Sequence, residues 1–447
     1  MAKKYDVIVV GAGPAGLVAA KVVGENGFEV ALVERKTDIT VLNRACGATL
    51  DSANEYCHHD LYRCNVRDKR LSFPAHGFSV KYDGPYRNCY AWHFYSPGGN
   101  MVQAGVCEEQ KEKGDYGKIT AIPDKEILLR CLLEEAKACS VEVFPGINVE
   151  KVASTAEGVR VEGSGQSFEG KYLIAADGAN SRIAQMLGMN EGRHYYCQFR
   201  ALANDWSGVE PPEPDAFVNG DTARMKQGPF SFFLFPEARE GLYWQAVISI
   251  DPRVDLKAAE SHFLKQPLFA PWFKNAKKVR TLSANVNCYS PIVDAYKGRV
   301  LIAGDVGATM ELLISGAMIS GWKAGHAVSL ALQEENLELE VTALAHFDNW
   351  WKEAYVNYYS QDELMKNPVL KLILEPEEID YLFSLIKEPM RPCLNPYTIR
   401  EDWGQAMRNL SPIIQQNRPE MYQKLGKMGL TAREIMAEVT RLSKPVF

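Results

Sequence analysis

The chain has 447 residues, of which 46% are hydrophobic and 24% charged, an ordinary globular balance with room for two or three lobes. Its net charge of -6 supplies no bulk attraction to nucleic acid, so no such partner is expected. Ten cysteines fall without a CxxC pair or a disulfide-like spacing, which points to a reducing, cytoplasmic setting.

The N-terminus, MAKKYDVIVVGAGPAGLVAA, has the basic start and apolar run of a secretory signal. Asp6 interrupts that run, however, and the glycines are spaced for another purpose. No stretch of roughly 18 apolar residues occurs, so a membrane-spanning helix is not expected; attachment to a membrane surface stays open. YDVIVV reads as a buried strand, LVAAKVVGENG as a helix stopped at Gly27, and FEVALVERK as a second strand. Together they form a βαβ unit.

The turn between strand and helix is Gly11-Ala12-Gly13-Pro14-Ala15-Gly16, and Glu34 closes the second strand. In this context a GxGxxG is a dinucleotide fingerprint. Gly11 permits the tight turn, Gly13 lets backbone approach a pyrophosphate, and Gly16 lets helix and strand pack closely. The helix N-terminus offers free N–H groups to the phosphates. A carboxylate at Glu34 suits free ribose hydroxyls and opposes a 2′-phosphate. That fits the AMP half of FAD or of NAD without separating them.

Residues 51–117 read as short β runs broken by turns such as YDGPY and SPGGN. PDKEILLRCLLEEAKAC reads as an amphipathic helix with Asp124 as its cap. VEVFPGINVEKVAST and GVRVEGSGQSFEGKYLIAADG read as strands and hairpin turns. GSGQSFEG repeats a Gly-x-Gly, but β runs flank it on both sides, so it is a hairpin and not a second nucleotide site. Residues 196–250 carry further β runs, FSFFLFP and YWQAVISI among them. GRVLIAGD reads as a strand, and a helix follows from about Ser315 to Leu332. Beyond about residue 336 the chain reads as aromatic-rich helices broken near Pro368, Pro376, Pro389 and Pro392. CHHDLYRC at 57–64 fits no standard zinc spacing, and no metal is expected. NWWKEAYVNYY at 349–359 reads as core before it reads as a surface for greasy substrate or lipid.

The set GAGPAG with Glu34, ADGANS at 176–181, and AGD at 303–305 followed by a helix resembles the FAD-binding domain of para-hydroxybenzoate-hydroxylase-like flavoproteins. Within that superfamily the chain is similar to the geranylgeranyl reductase family. Four features carry this. They are Cys46-Gly47 after the first βαβ unit, FYSPGGN at 94–100, the helix opening with Lys125 where the family has arginine, and FSFFLFPEA at 230–238. The departures are Leu312 at the family's proline place, Ser315, Gly316 and Ala317 across its Gly-x-Gly, and Phe232 and Leu234 where tyrosine and tryptophan are usual. Lys125 also lacks the planar fork of arginine.

The resemblance implies an α/β fold: a Rossmann-like FAD-binding domain of glutathione reductase type, an inserted β-rich substrate domain, and a C-terminal helical region. The expected FAD-binding domain is discontinuous (1–75, 118–190 and 281–335), with the substrate domain at 76–117 and 191–280 and the helical region at 336–447. The expected cofactor contacts are Gly11, Gly13, Pro14, Ala15, Gly16, Glu34, Arg35, Arg44, Cys46, Gly47, Lys125, Asp177, Gly304, Asp305, Gly316, Ala317 and Met318. Asp305 would bind the ribityl chain, and the helix behind it would face the flavin pyrimidine. Cys46 is the candidate proton donor, its alternative a small packed residue at a turn. The implied reaction is hydride transfer to a carbon–carbon double bond of an apolar, isoprenoid-like substrate. The electron donor would be NAD(P)H, ferredoxin or another flavoprotein. Two other readings stand beside it, an aromatic monooxygenase and an electron carrier to quinone. No cluster of four cysteines supports an iron–sulfur centre.

Overall fold

The computed structural model describes residues 3–50, 61–222, 230–308, 313–357, 366, 369–431, 433–435 and 437. Strand β1 (Lys4–Val10), helix α1 (Pro14–Glu25) and strand β2 (Val30–Glu34) form the expected opening unit. Strands β3 (Arg63–Asn65), β4 (Arg70–Phe73) and β5 (Phe78–Lys81) make a small antiparallel sheet. Then come β6 (Tyr86–Cys89), β7 (Ala91–Tyr95), β8 (Met101–Ala104), α2 (Cys107–Glu112), β9 (Thr120–Pro123) and α3 (Lys125–Ala138). Strands β10 (Val141–Pro145), β11 (Val149–Ser154), β12 (Val159–Gly163) and β13 (Gln166–Ala175) precede α4 (Arg182–Met186). The long strands follow as β14 (Tyr195–Ser207), β15 (Ala216–Thr222), β16 (Phe230–Pro236) and β17 (Leu242–Ser249). After α5 (Leu256–Lys265) come β18 (Lys277–Tyr289), β19 (Tyr296–Lys297), β20 (Val300–Ile302), α6 (Leu313–Asn336) and α7 (Ala343–Trp351).

Two large sheets organise these elements. The first is eight-stranded, with β10, β2, β1, β13 and β20 paired in parallel and β11–β12–β13 antiparallel. Its central strands are buried on both faces, which is why YDVIVV and VALVE read as continuous apolar runs. One face packs on α1, α3, α6, α7 and the small sheet; the other packs around Ile8, Val161, Phe168 and Ile183. The hairpin expected at GSGQSFEG is present between β12 and β13. Trp351 and Tyr355 are fully buried in the first core, so this part of the 349–359 cluster is core, as expected.

The second sheet is seven-stranded, in the order β18-β14-β17-β16-β15-β7-β8. Two of the expected boundaries cut through sheets. Strand β18 runs through residue 281 inside this sheet, whereas β5 packs with the first core. Helices at Pro376–Leu385 and Pro396–Asn417 pack on β7 and β8, where Phe94 meets Trp403 edge to face. Pro376 opens a helix, where prolines are tolerated, and Pro396 opens another. Helix α6 is longer than expected at both ends. No helix among the described residues is long and apolar enough to cross a membrane.

Candidate functional site

The glycine turn does locally what its spacing requires. Gly11 has φ of +103°, and a Cβ there would sit 2.2 Å from the Ala176 carbonyl oxygen. A Cβ at Gly16 would sit 1.8 Å from the Gly11 oxygen. At Gly13, the N-cap of α1, an added Cβ meets nothing within 4 Å. The space in front of the helix is therefore open, and it faces first-turn N–H groups that lack intrahelical partners. Pro14 opens the helix, and Ala15 and Gly16 are buried behind it. Glu34 accepts hydrogen bonds from Ala12 N–H at 2.7 Å and Lys36 N–H at 2.8 Å, which fixes its carboxylate at the end of β2. Arg35, its neighbour, is exposed.

The second strand end is Gly304-Asp305. Gly304 N–H donates to Ser320 Oγ of α6 at 2.9 Å, tying this turn to the helix that carries buried Gly316, Ala317 and Met318. Burial pushes the Asp305 carboxyl up, with Arg44 and Lys125 pulling it back. The Arg44 guanidinium lies 3.8 Å from Asp305 and is half exposed. Asp177 is turned inward: its carboxylate accepts from Ser181 Oγ at 2.6 Å and Arg182 N–H at 2.9 Å, fastening the start of α4. Leu312 and residues 51–60, which include the first half of CHHDLYRC, lie outside the described residues. Among the described residues no cluster could hold a metal ion.

The segment carrying Cys46 is clamped between the seven-stranded sheet and strand β9. Ala45 N–H donates to Ser283 O of β18 at 3.0 Å, and Leu50 N–H to Ala121 O of β9 at 3.1 Å. Asn180 of the ADGANS turn bonds Asn285 O and Asn287 N–H of the same β18. Lys125 Nζ donates to Cys46 Sγ at 2.9 Å. Burial would raise the Cys46 thiol, but the charge and hydrogen bond of Lys125 outweigh it and hold the thiol below its ordinary value.

Opposite this segment stands one face of the second sheet. Phe217 stacks on Phe235 at 4.5 Å, and Phe235 on Trp244 at 4.8 Å. A Cβ at Gly47 would come within 3.2 Å of Phe235 and 3.9 Å of Trp244, so the glycine lets the Cys46 backbone lie against these rings. Phe233 belongs to this face, with Ala48 and Trp92. Phe232 does not. Strand alternation turns it away, fully buried, onto Phe263 of α5 at 4.7 Å. The run FSFFLFP thus serves two cores, as the period of two in a strand requires.

Sequence reasoning missed the charged residues around α3. Asp124 caps it as expected, accepting from Glu126 N–H and Ile127 N–H. It also accepts from Arg239 at 2.6 Å, and Glu126 accepts from Arg280 at 2.9 Å. Nothing local signals these pairs, because their partners lie 115 and 154 residues away.

Comparison with known proteins agrees with this geometry. Residues 4–310 match the FAD binding domain family, and the chain belongs to it. The open space at Gly13, the anchored Glu34 and the half-buried Asp305 fit such a cofactor. The chain is an FAD-dependent oxidoreductase of the geranylgeranyl reductase type. It is 23% identical over 410 residues to a digeranylgeranylglycerophospholipid reductase of Methanosarcina acetivorans, covering 86% of this chain and 89% of that one. It is 24% identical over 400 residues to the enzyme of the same name from Methanocaldococcus jannaschii, covering 86% and 91%. Among solved structures, a geranylgeranyl bacteriochlorophyll reductase-like protein of Thermoplasma acidophilum shares the fold. Its TM-score is 0.68 at 16% identity, covering 92% of this chain and all of that one. The flavin-dependent halogenase CmlS also shares the fold, with a TM-score of 0.58 at 16% identity, covering 99% of this chain and 78% of that one.

Proposed function

We propose that this oxidoreductase reduces carbon–carbon double bonds of an apolar, isoprenoid-like substrate. The observation that carries the reading is the aromatic face of Phe217, Phe233, Phe235 and Trp244 laid against the Cys46–Gly47 segment. Names of the relatives support it, since those proteins are called reductases of a geranylgeranyl lipid.

Gly13 and the first turn of α1 would hold the diphosphate of FAD, Glu34 its ribose, and Asp305 its ribityl chain. Pro14, Ala15 and Gly16 shape that turn, while Arg35, Arg44, Asp177, Gly304, Gly316, Ala317 and Met318 border the rest of the cofactor. When bound and reduced, FAD supplies a hydride. The aromatic face positions an apolar chain and excludes water. Cys46 gives a proton to the carbon that did not receive hydride, and the Lys125 ammonium, hydrogen-bonded to its sulfur, stabilises the thiolate until solvent reprotonates it. The domain division at 1–75, 118–190 and 281–335 for the cofactor is proposed in the same spirit, with β18 spanning both parts.

The test is anaerobic incubation of dithionite-reduced holoenzyme with a geranylgeranyl lipid, followed by mass spectrometry. The expected product gains two hydrogens for each bond reduced. An unchanged lipid, together with oxygen-dependent hydroxylation of an aromatic compound, would overturn the reading.

A further inference from the structure

Where the aromatic face ends, it becomes charged. Phe235, Trp244, Asp205 and Arg280 are cross-strand partners in one row over β16, β17, β14 and β18. Residues in one such row point to the same side of a sheet, so Asp205 and Arg280 share the side of the rings that touch Gly47. Glu237, two residues past Phe235, joins them. Its carboxyl lies beside that of Asp205, and its Oε1 is buried with no hydrogen-bond partner. Arg280 is the bridge: it donates to Asp205 at 2.5 Å on the sheet and to Glu126 at 2.9 Å on α3. Arg239 adds a second link, to Asp124 and, at 3.5 Å, to Glu126. Helix α3 begins with Lys125, the residue on Cys46.

We propose that Glu237, held neutral beside Asp205, is a positioning residue that keeps Arg280 bridged to Glu126 and so holds α3, with Lys125, against the substrate sheet. Two carboxyl groups side by side cannot both be anions without strong repulsion. While Glu237 keeps its proton, Asp205 and Glu126 each take one side of the guanidinium. Once Glu237 ionises, two anions on the sheet compete for Arg280, and its link to Glu126 weakens. The charged groups facing Glu237 are Asp205 from β14, Arg280 from β18 and Arg239 from the β16–β17 turn, with Asp124 and Glu126 at the start of α3 bound to those arginines. Tyr82 donates no competing charge; its hydroxyl accepts Asp124 N–H. Burial, then the contact with Asp205, push the Glu237 carboxyl up to about 8. The sign follows: the stabilisation is full below the ordinary carboxyl value of 4.5 and is lost as pH rises through about 8.

The inference rests on the reading that this face and the Cys46 segment enclose the reaction site, so its test avoids turnover. Amide hydrogen exchange of the α3 N-terminus in the FAD-loaded protein is followed from pH 6 to 9 and corrected for intrinsic exchange. The wild type should lose protection by roughly tenfold, the equivalent of one pKa unit, across the range around pH 8. Glu237→Gln, which stays neutral, should show no such loss. Arg280→Lys, which cannot fork between two carboxylates, should be poorly protected at every pH. Retained flavin absorbance reports that each variant is folded. A Glu237→Gln profile identical to the wild type, or an Arg280→Lys variant protected like the wild type, would overturn the proposal. Failure of lipid reduction alone would leave these exchange results standing and count against the substrate reading instead.

Discussion

A valine at Gly13 would place its branched side chain in the open space before α1, where a diphosphate has to approach backbone N–H groups. Gly13→Val should therefore purify colourless and fail to take up FAD, as read by absorbance after reconstitution; a yellow variant would refute the placement. Cys46→Ala should stay yellow, because the thiol holds no part of that turn. The same thiol has a testable titration. Lys125 keeps it below its ordinary value, so alkylation by iodoacetamide should reach half its maximal rate at a lower pH than for an unperturbed thiol. Lys125→Met removes the ammonium and its hydrogen bond, leaving burial opposed only by the Ala48 N–H and Arg44, and so moves that midpoint upward. An unmoved midpoint would show that the pair has no electrostatic consequence.

Helix α3 is where local and distant chemistry meet. Its start was legible: Asp124 precedes an apolar-periodic run, and its carboxylate does accept two first-turn N–H bonds. That the same carboxylate also accepts from Arg239 was not legible, because the partner arrives on another sheet. Asp124→Ala removes both roles. Loss of the cap alone costs about 1 kcal/mol, and Arg239, half exposed, adds little to that. The expected outcome is a lowered urea midpoint with FAD still bound. Strand β16 teaches a related lesson. FSFFLFP reads as apolar throughout, yet its odd and even positions serve different cores. Phe232→Ala should destabilise by about 3–5 kcal/mol, since the ring is fully buried on α5. Phe233→Ala, half-buried on the Cys46 side, should cost less stability and weaken binding of an apolar chain. Equal effects from both substitutions in denaturation and lipid-binding assays would contradict the two-faced strand.

At the scale of the molecule, the seven-stranded sheet joins three bodies of packing. Its Phe232 face closes on α5, its Phe235 face closes on residues 46–48, and its β7–β8 edge closes on the C-terminal helices. The turn at Gly11–Gly16, the βαβ unit, the hairpin at 163–170 and the buried aromatic segment at 351–355 were determined by sequence alone, because each depends on φ, side-chain size or period within a few residues. Tertiary structure alone decided that Cys46 meets Lys125 across 79 residues and that Arg280 meets Glu126 across 154. Such contacts are fixed by which sheets close on one another, and that depends on apolar area buried over the whole chain, not on any local pattern.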